Sequence, residues 1–158
     1  MYNWQNIGKS ASSPGIASII YIIAIRNIDV FGIYNSTNST AQGAQVIIDT
    51  DHIPVSGQGF ITMYSTQKFS EMKGETTGET DSRSMKIKVS AFSPGLSEAQ
   101  SEFYKNALNE EGFIILVKDA DCSTGKVYQV GTHCSPAEIM GSFESGNKDG
   151  GKKAWNFE

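Results

Sequence analysis

From Met85 to Ala91 apolar and polar residues alternate: Met85, Ile87, Val89 and Ala91 are separated by Lys86, Lys88 and Ser90. That spacing predicts a strand with one wet face. The alternation stops at Phe92-Ser93-Pro94-Gly95, where proline fixes φ and glycine permits a positive φ, so a sharp corner is expected. The period then changes. Leu96, Ala99, Phe103, Tyr104, Ala107 and Leu108 recur at helical spacing and predict an amphipathic helix with one apolar stripe. Ser97 and Gln100 form a capping-box pattern at its start, Glu98 sits where the helix dipole favours an anion, and Gly112 is placed to end it. Phe113 to Val117 is wholly apolar and too short for a buried helix, so it reads as a buried strand. One helix laid across a β core is the expectation for this stretch.

The same reading extends along the chain. Ile16 to Arg26 predicts a strand apolar on both faces, hence one that is central or sandwiched. Ala44 to Ile48 and Gly59 to Tyr64 read as short strands, and 113–131 as a hairpin turning through Asp119 to Gly125. Ile139 to Ser145 is a further strand. Ala154 to Glu158 is the last, with Trp155 and Phe157 on one of its faces. Between them lie a turn-rich N-terminal extension over 1–15, a Ser/Thr/Asn-rich loop from Asn35 to Gln42 and a basic-leaning loop from Gly146 to Lys153. The sum is about eight strands and one helix in a single domain spanning 1–158, an α+β fold that is mainly antiparallel β.

Ser65 to Ser84 breaks the pattern. It carries Lys68, Glu71, Lys73, Glu75, Glu79, Asp81 and Arg83, and its large apolar residues are only Phe69 and Met72. A connection this long between two strands is either a solvated loop or a functional element. The functional version is a β-hairpin arm that orders against a neighbouring subunit.

Composition narrows the function classes. A formal charge of −4 opposes general nucleic-acid binding, which needs a basic footprint. The strongest apolar run, Ile19 to Ile25, is far too short to span a bilayer. Met1 to Ile7 has no basic region followed by an apolar stretch, so synthesis in a bacterial cytoplasm is expected. That compartment also argues against a Cys122–Cys134 disulfide.

Candidate chemistry is sparse. Cys122, His133 and Cys134 fall short of the four ligands of a structural zinc site. Asp49, Asp51 and His52 offer acid–base groups without a nucleophile and read as turn and capping residues. Asp119 and Asp121 begin like a calcium loop but lack its later ligands. No phosphate-binding loop, G-x-S-x-G or H-E-x-x-H is present. The expectation is a non-enzymatic chain with no cofactor and no metal. A second class stays open, a soluble β-rich ligand- or partner-binding module presenting Tyr64, Tyr128 and Trp155 on an exposed face.

The order of short motifs carries a resemblance. Gly57-Gln-Gly-Phe-Ile61, a long charged hairpin, Phe92-Ser-Pro-Gly95 and the helix are followed by Gly112-Phe-Ile-Ile-Leu-Val-Lys-Asp119. Ser135-Pro-Ala-Glu-Ile139, Phe143-Glu-Ser-Gly146 and a closing Lys-Lys-Ala-Trp-Asn-Phe157 complete the series. From Gly57 to Glu158 the chain resembles the tail-tube-type structural proteins of tailed phages and prophages of Bacteroidetes bacteria; the first third is similar only in general character. The resemblance implies a β-sandwich or half-barrel flanked by one helix, shared with the inner tubes of contractile tails and type VI secretion systems. It implies subunits that form rings, commonly hexameric, whose inner sheets join into one barrel, with rings stacked into a tube for DNA. The implied partners are copies of itself and other tail proteins (terminator, baseplate, tape measure, sheath), with DNA passing unbound and no membrane. The implied location is the virion, assembled in the host cytoplasm. Lys68, Phe69, Met72, Lys73, Glu75, Arg83, Trp155 and Phe157 are the candidate subunit-interface residues. The family pattern leads to a longer closing strand than the one ending at Glu158, so a short strand or one completed by a neighbour is expected.

Overall fold

The computed structural model describes residues 16–33, 46–48, 50–120 and 126–145, and the backbone of 154–157. The extension 1–15, the Asn35 to Gln42 loop, Asp49, Cys122 and the loop from Gly146 to Lys153 lie outside the described residues. In chain order the strands are β1 (Ile16–Ala24), β2 (Ile28–Val30), β3 (Ile53–Pro54), β4 (Ile61–Tyr64), β5 (Glu71–Thr77) and β6 (Ser84–Pro94). The helix α1 (Glu98–Ala107) follows, then β7 (Phe113–Asp119), β8 (Val127–Val130), β9 (Gly141–Glu144) and β10 (Ala154–Phe157). The fold is α+β and mainly antiparallel β. One sheet has the order β4-β1-β7-β8, a second β5-β6-β10-β9, and β2 and β3 form a small ribbon. Every pairing between these strands is antiparallel.

The inward faces of the two sheets share one core. Ile20, Ile22, Ile115 and Val117 from the first sheet meet Val89 and Ala91 from the second, and Ala107 of α1 joins them. The predicted central strand is central: β1 pairs with β4 through Ile20↔Met63 and with β7 through Ile22↔Ile115. It is shorter than its apolar run, because Ile25–Asn27 turn into a 3-10 segment.

Its second face is only half covered. Ile23 and Ile114 are buried beneath the ribbon with Ile28, against Phe31 and Phe60. Farther along the same face Ile19 and Tyr21 are exposed. The ribbon strands are two and three residues long, too short to reach them.

The helix is built as its sequence dictates. Ser97 Oγ accepts from the Gln100 amide, and Gln100 Oε1 accepts from the Ser97 amide at 2.8 Å, which satisfies two donors left open at a helix start. Leu96, Phe103 and Tyr104 pack on the core, but Ala99 and Leu108 are exposed, so the apolar stripe is narrower than its spacing implies. The helix stops before Gly112: the Asn109 and Glu110 amides bond three residues back and tighten the last turn. The predicted strand over Ala44 to Ile48 does not form as a strand across its described part, 46–48, where Val46 and Ile47 are exposed and the pairing is reduced to a β-bridge at Ile48.

Candidate self-association surfaces

The polar stretch after Tyr64 folds on its own chain. β5 and β6 pair in unbroken register from Glu71↔Ser90 to Thr77↔Ser84, forming a two-stranded arm. Residues 73–88 are all exposed, so the arm stands away from the body. Its root is polar and buried. Ser65 and Ser70 are 0% and 5% exposed. The Ser70 hydroxyl donates to Thr66 O at 2.9 Å, so the short contact between the two hydroxyls is Ser65 donating to Ser70. The Ser65 amide donates to Ser18 O at 2.7 Å and the Thr66 amide to Phe92 O at 2.9 Å, so this corner ties the first sheet to the second. Ser93, also buried, accepts from the Gln100 side chain at 2.8 Å and links the far end of β6 to α1.

The two faces of the arm differ in kind. On one, register brings Lys73 opposite Lys88 and Glu75 opposite Lys86, with Glu71 next to them. Like charges facing across strands repel, and the Lys73 ammonium turns to Glu71 instead, at 2.7 Å. The hydrogen bond that Lys73 donates to Glu71, then the charge of the same carboxylate, hold Lys73 above the usual lysine value, and Glu75 adds to the effect. On the other face Met85 and Ile87 continue the apolar row of Val89 and Ala91 past the end of the core, and are 71% and 41% exposed. The alternation read from the sequence is present; its outer half simply has no cover among the described residues. Met85 and Ile87 form one wall of an open groove whose other wall includes Val130, Pro136 and Met140.

The sequence-predicted interface residues fall into three groups. Lys73, Glu75 and Arg83 lie exposed on the arm or its end loop. At the root, the Phe69 ring packs on Phe92 with centroids 5.3 Å apart, and the Lys68 ammonium stands 5.8 Å from the Phe69 centroid. Met72 is half-buried against the chain's own core. Trp155 and Phe157 belong to β10, opposite Ser93 and Ala91 of β6; their side chains lie outside the described residues.

Both edges of the second sheet are open among the described residues. β5 pairs only with β6, and β9 only with β10. β5 is seven residues long and carries neither proline nor a bulge; of the devices that blunt an edge it has only charge, in Glu71, Lys73 and Glu75.

Other candidate groups take structural places. His52 Nδ1 accepts from the Gly32 amide at 2.9 Å, a link that local sequence gives no sign of, since 20 residues separate the two. Asp51 is exposed, and Asp49 and Asp121 lie outside the described residues. Cys134 is an exposed thiol. Among the described residues no group of three or more His, Cys, Asp or Glu gathers as metal ligands, and no helix is long and apolar enough to cross a membrane. Tyr64 and Tyr128 are not brought together: they lie on β4 and β8, opposite edges of the first sheet, paired with Ile19 and Val117. In comparisons with protein-family models, with curated proteins and with solved structures, nothing matches this chain.

Proposed function

We propose that this chain is a structural subunit whose copies join edge to edge into stacked rings, forming the inner tube of a phage tail through which DNA passes. The single observation that carries the reading is the second sheet. It has four strands, all pairings are antiparallel, and its two edges are open among the described residues. Across four antiparallel strands the first and last run in opposite senses. β9 of one copy can therefore pair antiparallel with β5 of the next, and the operation repeats with the same surfaces each time. Such a head-to-tail contact can close into a ring, and closure removes both edges of this sheet.

The stagger of the strands supports the same reading. β5 covers β6 from Ser84 to Ser90, whereas β10 covers it from Ala91 to Pro94 on the other side. A climbing register of this kind is what a closed barrel of tilted strands requires. By register, the wet face of this sheet carries Lys73, Lys86 and Lys88 against Glu71, Glu75 and Glu144. A wall with balanced charge does not grip a phosphate backbone, as a conduit demands. The motif resemblance to tail-tube proteins gives the ring its commonly hexameric count.

The test is to image purified protein by negative stain and to size it by light scattering. Rings or tubes are expected from the parent. A variant that removes Glu75 to Lys86 and closes the strands with a tight turn of about two residues keeps Met72 and Val89 in the core, so it should remain folded and monomeric. Parent protein that stays monomeric at high concentration, or normal tubes from the shortened variant, would reject the proposal.

A further inference from the structure

The two open edges of the second sheet carry features that answer each other. On β5, Glu71, Lys73 and Glu75 lie on the wet face, while Met72, Gly74 and Thr76 share the face of Val89, Ile87 and Met85. On β9, Ser142 and Glu144 lie on the wet face. Phe143 lies on the core face, since it stands opposite Trp155, which stands opposite the buried Ser93. Phe143 is 63% exposed there. Gly74 leaves a gap in the apolar face of the arm: among the described residues a Cβ built on it would come within 4 Å of Met85 Sδ alone, at 3.9 Å. Its partner across the strands is the exposed Ile87. An exposed aromatic on one edge and a glycine gap beside exposed apolar groups on the other are the two halves of one cross-strand contact, an aromatic ring laid over a strand glycine.

We propose that β9 of one copy seats on β5 of the next in a single register, with Phe143 over Gly74 and Glu144 opposite Lys73. The inference rests on the ring reading and adds to it which residues meet. Faces and charges together select this register. A shift by one residue turns Phe143 onto the charged face. A shift by two in either direction sets Glu144 opposite Glu71 or Glu75, and like charges facing across strands repel. With Phe143 at Gly74, Glu144 faces Lys73, Ser142 faces Glu75 and Gly141 faces Thr76.

Charge along the joint falls into order in this arrangement. Lys73 stands opposite Lys88 within its own copy, and Glu144 sets a carboxylate on the other side of Lys73, next to that pair of like charges. The Phe143 ring, laid across the gap at Gly74, reaches towards Ile87 and the Met85 thioether and covers part of the apolar row that runs past the core. No copy can make this contact with itself, because β5 and β9 are opposite edges of one sheet. A two-fold pairing of β5 with β5 of another copy about Gly74 would also put Lys73 opposite Glu75, but it sets glycine against glycine and leaves Phe143 exposed. Seating β9 on β5 accounts for the gap, the aromatic and the charges at once.

The experiment uses the full chain, with Cys122→Ser and Cys134→Ser as background. A disulfide needs Cα atoms about 4.4–6.8 Å apart, which only directly opposed residues supply. Glu144→Cys mixed with Lys73→Cys and briefly oxidised should therefore cross-link at least about tenfold faster than Glu144→Cys mixed with Glu71→Cys or with Glu75→Cys. In the parent background, Lys73→Glu and Glu144→Lys should each weaken assembly by about tenfold or more in light scattering, and the double reversal should recover it. Fastest cross-linking to Glu71→Cys or Glu75→Cys, with rings still formed, would overturn this register and leave the ring reading standing. Parent protein that stays monomeric, with no preferred cross-link, would reject both. Gly74→Cys that cross-links to itself faster than Glu144→Cys does to Lys73→Cys would show the two-fold pairing instead. A double reversal that fails to recover assembly would overturn the charge pair.

Discussion

Two glycines with nearly the same backbone conformation separate the cost of a left-handed turn from the cost of close packing. Gly131, after β8, has φ +87°, and Gly57, in the turn after β3, has φ +82°. A Cβ on Gly57 meets nothing within 4 Å. A Cβ on Gly131 would lie 2.5 Å from Phe113 O and 2.7 Å from the Ala137 nitrogen. Those two groups hydrogen-bond to each other at 2.9 Å, in the reciprocal bridge that fastens the segment after β8 to the start of β7. Gly57→Ala should therefore cost only the left-handed penalty, about 1–2 kcal/mol. Gly131→Ala carries that penalty and must also push the bridge apart. Parting a buried donor and acceptor costs about 1–3 kcal/mol for each group left unpaired, so with two groups the excess of Gly131→Ala over Gly57→Ala should be about 2–6 kcal/mol. Against a typical stability of about 5–15 kcal/mol this is a large fraction. Urea unfolding of parent and both variants, followed by tryptophan fluorescence and by far-UV circular dichroism, measures the difference directly. Equal losses within about 0.5 kcal/mol would show that the bridge moves aside freely and that the packing argument is wrong.

Three further outcomes follow from the same contacts. Ile114, which is 0% exposed, should lose about 2–5 kcal/mol on Ile114→Ala, whereas Ile19→Ala, on the exposed end of the same face, should lose far less in the monomer; equal losses in urea would refute the half-covered face. Ser97→Ala should cost about 1 kcal/mol through the lost cap, and Gln100→Ala should cost more, because it also strips the partner from the buried Ser93 hydroxyl; thermal melts that rank the two the other way would contradict the network. Lys73 titrates above its ordinary 10.5, so its contribution to the arm is present below that value and is lost as pH rises through the raised one. Glu71→Gln should move the Lys73 side-chain titration down towards ordinary lysine behaviour, with Glu75 keeping a smaller part of the effect, and an unchanged titration would show that Glu71 is not the cause.

What was legible in the sequence was what neighbours in the chain determine. Alternation up to Ala91 and the Ser97–Gln100 box are local signals, and each appears in place; the corner expected over Phe92 to Gly95 comes only at Gly95, because Phe92, Ser93 and Pro94 stay in β6 and pair with β10. The arm was legible as a charged hairpin, one of two readings open for a long connection between strands, but its register was not, because Glu71 to Thr77 carries few β-formers; its strand exists through pairing with Ser84 to Ser90. The open half of the arm was hidden for another reason. Met85 and Ile87 have the same pattern as Val89 and Ala91, and only the reach of the facing sheet decides which are covered. The apolar run at 46–48 misled in the opposite sense, having the hydrophobicity of a strand but pairing only as a β-bridge at Ile48. The His52 and Gln129 side chains hydrogen-bond to each other across 77 residues, and nothing in either neighbourhood announces the other.

The hydrogen bonds made by the Ser65 and Thr66 amides and the Ser70 hydroxyl have a mechanical consequence. Apolar packing is indifferent to direction: oily surfaces slide and swivel over one another at little cost. Hydrogen bonds have angles. By fastening the foot of a protruding ribbon with directional bonds to Ser18, Thr66 and Phe92, the chain fixes the bearing at which that ribbon leaves the body. A hinge becomes a bracket, and every molecule holds out its bracket at the same tilt.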